Sequence, residues 1–186
     1  NHIFIIINLS EVGFHSNSTV RKPRELLVDL MVFNIMENHF HLMMKQLIDG
    51  GISEFMRKIG VGYANYFNQK YERSGALFQG KYKFVHIKKE SHFIHLPYYI
   101  HLNPLDTKFP EWRDREIKDY EKAIKFLENY RWSSFPDYIG KKNFPSVTQR
   151  DFLLKSIGGA EKYKNDTFKW IKEMNLQSMK DILIEK

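Results

Sequence analysis

Two histidines two residues apart, followed by tyrosines at helical spacing, are the groups in this 186-residue chain that could act together as a reactive site. His39 and His41 flank Phe40 in the run Asn38-His39-Phe40-His41. In an extended run, side chains two apart share a face, so both imidazoles point one way with Phe40 behind them. Two neutral imidazoles on one face begin a divalent metal site without completing it. Further on, Ile52, Phe55, Met56, Ile59, Tyr63, Tyr66 and Phe67 keep the i, i+3, i+4 spacing of a helix face. A functional reading of Tyr63 needs that helix to pack back so that its hydroxyl stands beside the histidines, which the spacing permits; Tyr66 lies on the same face. A third group runs from Arg73 to Lys83, where Gly75 and Gly80 bracket aromatics and cations. Such a loop suits a phosphate backbone, with Arg73, Lys81 and Lys83 as the contacts.

These groups need a frame. His2 to Asn8 is rich in Ile and reads as a strand. Leu9 to Pro23 is polar and loop-like. Leu26 to Met36 and His39 to Leu47 read as two strands meeting at Glu37-Asn38, an antiparallel hairpin. Gly50-Gly51 ends it, and a helix is predicted from Ser53 to about Tyr71 with Gly75 past its end. Lys81 to Lys88 is a further strand, and Glu90 to Leu102 a helix that Asn103-Pro104 stops. Leu105 to Arg115 is a charged connection. Helices are expected at Lys118–Asn129, Asp151–Ile157 and Lys162–Glu173, with a turn at Trp132-Ser133-Ser134. The pattern is α+β: an antiparallel sheet with helices packed on it over residues 1–104, then a helical C-terminal part over 105–186.

Composition narrows the partners. The chain carries 29 Lys+Arg against 22 Asp+Glu, a net charge of +7. That excess points to an acidic partner, nucleic acid first, and the interleaving in Lys81-Tyr82-Lys83-Phe84 offers phosphate contacts beside stacking faces. With 42% hydrophobic and 15% aromatic residues, disorder is excluded as the main state. No apolar run reaches the roughly 18–20 residues of a membrane span, and no basic leader with a cleavage site opens the sequence. Cysteine is absent, which removes disulfides, thiolate metal sites and Cys nucleophiles and agrees with a reducing cytoplasm. Of the other histidines, His92 and His95 lie i, i+3 on one helix, and His101 is expected to help fix a helix end. Trp112, Trp132 and Trp170 are expected to be packing anchors.

Taken in order, Asn38 to Leu42, Gly51-Ile52-Ser53-x-Phe55-Met56, Gly62-Tyr63-x-x-Tyr66-Phe67-Asn68, Gly75-x-Leu77-Phe78-Gln79-Gly80 and Tyr99 to Pro104 resemble the single-tyrosine HUH transposase family. The branch they resemble most is the one associated with repetitive extragenic palindromes, with a weaker echo at Tyr130 to Ser134. The resemblance implies an HUH palm, ferredoxin-like in build, in which His39 and His41 hold Mg²⁺ or Mn²⁺ at a scissile phosphate of single-stranded or hairpin DNA. It also implies that a tyrosine, here read as Tyr63, attacks phosphorus to leave a 5′-phosphotyrosine link and a free 3′-hydroxyl. Relatives supply a third ligand from the tyrosine helix, often an amide one turn on. Four after Tyr63 stands Phe67, which cannot ligate, and Asn68 lies off that face, so the third ligand is left open. Relatives act as monomers or dimers. The alternative is a binder of hairpin nucleic acid that keeps the fold without turnover.

Overall fold

The computed structural model describes residues 2–8 and 25–173. Strands β1 (His2–Asn8), β2 (Val28–Ile35) and β3 (His39–Gln46) come first, then helix α1 (Gly51–Lys70), strand β4 (Lys83–Ile87) and helix α2 (Glu90–Leu102). Two 3-10 turns follow, η1 (Asn103–Thr107) and η2 (Pro110–Asp114). Helices α3 (Tyr120–Asn129), α4 (Phe135–Tyr138), α5 (Asp151–Ile157) and α6 (Ala160–Glu173) complete the described chain. The loop expected over 9–23 lies outside the described residues.

The sheet order is β2-β3-β1-β4, and each neighbouring pair is antiparallel. That order and those directions are the ferredoxin-like arrangement, the α+β class the sequence predicts. The β2–β3 ladder slips between Leu30 and Val32, a bulge at Met31. The Met31 carbonyl instead accepts from the Tyr138 hydroxyl at 2.9 Å, which ties α4 to the sheet. The outer edge of β2 is covered by the segment around Tyr130 to Ser134. Ile35 N donates to Trp132 O at 2.8 Å, Ser134 N to Phe33 O at 3.0 Å, and the Tyr130 hydroxyl to Ile35 O at 2.8 Å. A stretch expected to be a simple turn therefore pairs with the strand and protects its edge.

The pleat divides the strand side chains between two layers. Phe33, Phe40, Leu42 and Met44 pack with Ile52 and Met56 of α1. Val32 and Met43, on the other face, pack with Leu96, Tyr99 and Ile100 of α2. Every residue of α2 from Leu96 to Leu102 is buried, because this helix lies between the sheet and the C-terminal helices. Tyr98 stacks on Tyr163 at 4.5 Å and on Trp170 at 5.2 Å between ring centroids. Leu105, Trp112, Leu127, Phe135, Tyr163 and Ile171 belong to the same hydrophobic cluster as Val32 and Met43. The helical part after residue 104 thus shares one core with the sheet. Gly51 opens α1 where a Cβ would stand 2.3 Å from the Leu27 carbonyl oxygen, so only glycine allows this approach.

Candidate active site

His39 opens β3 and His41 follows on the same face, with their Nε2 atoms 3.0 Å apart. The rings meet edge to face at 4.8 Å. Asn38 Oδ1 lies 2.7 Å from His39 Nδ1 and accepts when that nitrogen carries the ring proton, the tautomer that leaves Nε2 its lone pair. His41 is fully buried. Burial, and then the charges of His39 and Arg113, hold its imidazole well below the ordinary histidine range, which keeps it neutral. Two convergent imidazole nitrogens, one steered by an amide and one kept neutral by its surroundings, can begin a site for a divalent cation. Among the described residues no group of three His, Cys, Asp or Glu gathers to complete such a site.

The tyrosine that shares this face is Tyr99. Its ring lies 6.4 Å from that of His41 between centroids. The side chain is fully buried, whereas His39 is half-buried and marks the solvent side of the group. Arg113 Nη1 approaches the Tyr99 hydroxyl at 3.5 Å and Arg113 Nη2 donates to Asn103 Oδ1 at 3.0 Å. Asp106 fixes this guanidinium through a two-point pair, Nε to Oδ1 at 2.9 Å and Nη2 to Oδ2 at 2.6 Å. Asn103, four residues after Tyr99, donates from Nδ2 to the Tyr99 carbonyl at 2.9 Å and is also fully buried. Asn34, paired in register with His41, is fully buried beside it.

Tyr63 does not meet the histidines. It belongs to the α1 layer with Phe40 and Leu42, on the opposite face of the sheet, against Tyr66, Phe67 and Phe78 at 6.1–6.4 Å between ring centroids. There Tyr63 and Tyr66 line an apolar groove of 740 Å³ with Phe33, Phe40, Phe78 and Trp132. The physical reason is the pleat: α1 packs on Phe40, and Phe40 alternates with the two histidines. The helix spacing that singled out Tyr63 identifies a buried face without saying which side of the sheet it covers.

The expected phosphate contacts are spread out. Lys83 opens β4, and the register His41–Ile6–Lys83 puts it in one row with His41 across the sheet, on the histidine face. Lys81 precedes that strand and is exposed. Arg73 lies past the end of α1, exposed, with its guanidinium 5.5 Å above the Phe67 ring. His101, expected to help fix the end of its helix, has its ring held instead between the Tyr163 hydroxyl at 2.7 Å and Ser134 Oγ at 2.8 Å, a tether from α2 to the C-terminal helices. Reading the sequence missed Tyr99, Asn103 and Arg113. The one signal for the first two was their spacing, a tyrosine with an amide one turn on, inside the stretch Tyr99 to Pro104.

No helix among the described residues is long and apolar enough to cross a membrane. None of the curated proteins matches this chain. A solved structure described as the REP-associated tyrosine transposase bound to a REP hairpin is similar at 12% identity, over 81% of this chain and 86% of that one, with a TM-score of 0.43. Residues 19–103 match the family described as "Transposase IS200 like".

Proposed function

We propose that this chain cuts and rejoins single-stranded DNA beside a hairpin, with a divalent cation at His39 and His41 and a covalent link through Tyr99. The observation that carries the reading is the grouping of His39, His41 and Tyr99 on one face of the sheet, in a chain whose residues 19–103 match a transposase family. The nucleophile is then Tyr99 and not Tyr63. The amide one turn on is Asn103, the candidate for the third ligand. A bound Mg²⁺ or Mn²⁺ supplies Lewis-acid polarisation of the scissile phosphate. His39 and His41 would hold it, and burial keeps His41 in the neutral form that can ligate. The Tyr99 oxygen bonds to phosphorus as the bond to the 3′ oxygen breaks, giving a 5′-phosphotyrosine and a free 3′-hydroxyl. Both Tyr99 and His41 are fully buried, so the cycle includes an opening step that admits the phosphate.

Lys83 stands in the row with His41 and holds a phosphate next to the reacting one. Lys81 and Arg73 contact backbone farther out. A division at residue 104 separates the segment that carries the histidines and the tyrosine from a helical extension that braces it. The test is a denaturing gel of the protein with labelled hairpin-bearing single-stranded DNA and Mn²⁺. A protein-linked band that Tyr99→Phe and a chelator abolish, and Tyr63→Phe leaves, is the expected result. Cleavage without a linked band would overturn the covalent step, and DNA retention without cleavage would favour a binding protein.

A further inference from the structure

Arg113 lies beyond the family-matched segment, on η2, yet its side chain ends at the reacting tyrosine. Its fork is fully directed. Nε and Nη2 are held by Asp106, Nη2 also reaches Asn103 Oδ1, and Nη1 approaches the Tyr99 hydroxyl at 3.5 Å. Asp106 is itself fixed from a second side by the Trp112 indole at 2.5 Å. The guanidinium carbon lies 4.9 Å from the Trp112 ring centre and 5.8 Å from the Tyr99 ring centre, so both rings border the group that the hydrogen bonds orient. An arginine that only braced two 3-10 turns would need Asp106 and nothing more. This one also points a nitrogen at a phenol that α2 turns toward the histidines.

We propose that Arg113 is a catalytic residue for the reaction read above: Nη1 donates to the Tyr99 oxygen and stabilises the negative charge on it as its proton leaves. Asp106 is the positioning residue that fixes the fork. The inference rests on Tyr99 being the nucleophile. The Tyr99 proton passes to solvent, the oxygen bonds to phosphorus, and the departing 3′ oxygen takes a proton from solvent as it becomes a hydroxyl. A fixed cation beside the phenol favours the charged form without moving during the step, the property that makes such groups effective. Because Arg113 follows the family segment, the extension completes the site as well as bracing it.

The experiment measures the rate of the protein-linked band, with Mn²⁺ and hairpin-bearing single-stranded DNA, from pH 6.5 to 10 for wild type, Arg113→Ala, Arg113→Lys and Asp106→Asn. Arg113→Ala is expected to lose roughly 10²-fold near pH 7, the scale for removing one preorganised donor. The loss should shrink as pH rises, because hydroxide then ionises the phenol without help. Arg113→Lys keeps the charge but not the two-point pair and should lie between wild type and Arg113→Ala, as should Asp106→Asn. A loss of equal size at every pH, tracking a fall in melting temperature, would make Arg113 a brace and overturn the proposal, as would an unchanged rate. If Tyr99→Phe still forms the linked band, the reading of Tyr99 fails and this inference with it. If Tyr99→Phe abolishes the band and the Arg113 variants do not slow it, only this inference falls.

Discussion

The two faces of the sheet are built from the same strands and have opposite characters. Under α1 lie Phe33, Phe40, Leu42 and Met44, closing on an apolar groove of 740 Å³. Under α2 lie Asn34, His41, Tyr99, His101 and Asn103, all fully buried polar side chains inside a dense core. Burying a polar group costs stability unless it is paired, so a core that keeps so many is expected to have a use for them. The α1 face has the residue types of a packing surface. The α2 face has the types that chemistry needs, held by a network that runs from Asn103 through Arg113 to Asp106.

The contrast can be broken first at the tyrosines. Tyr99→Phe should remove the DNA-linked band by at least about 10³-fold, while Tyr63→Phe changes it by less than about threefold. Equal losses in both variants on the same gel would mean that the two faces act together. Next comes packing. Met43 is fully buried on the α2 face, so Met43→Ala should cost about 3–5 kcal/mol in urea denaturation. Leu42 borders the groove, where truncation enlarges space that is already open, so Leu42→Ala should cost about 1–2 kcal/mol.

Acid sharpens the comparison further. Burial pushes the His101 imidazole down to about 3 from an ordinary 6.5, so the folded protein holds it neutral where the unfolded chain takes up a proton. Stability from this group is complete above about pH 6.5 and falls by up to about 1.4 kcal/mol per unit below that, toward pH 3. In a series of melting curves against pH, His101→Gln should flatten that slope. Among the described residues the buried histidines, His41, His92 and His101, lie on β3 and α2, and none is in α1. The smallest effect is at the surface cations. Lys83→Ala should lower the slope of log affinity against log salt by about 1 and also slow the linked band, whereas Arg73→Ala lowers the slope alone. Filter binding across a salt series measures both.

Local chemistry made much of this molecule legible in advance. The strands at 2–8, 28–35 and 39–46, the hairpin between the last two, and the helix at 90–102 follow from side-chain periodicity and the stop at Asn103-Pro104. The pairing of His39 with His41 follows from the pleat alone, since two residues in one strand need no partner to share a face. The partner of that pair is different in kind. An amphipathic pattern shows that Tyr63 is turned inward, but two layers lie inward of this sheet, and the choice depends on how the connection from β3 to β4 crosses it. The signal at Tyr99 was obscured because α2 is apolar all round, which leaves no stripe to mark one side as functional. Arg113 gave no signal, being one cation in a charged connection until η1 and η2 folded it back onto α2. Sequence by itself determined which groups were available and which of them shared a strand. Only the tertiary structure decided which tyrosine and which arginine face the histidines, because facing is set by contacts between residues far apart in the chain.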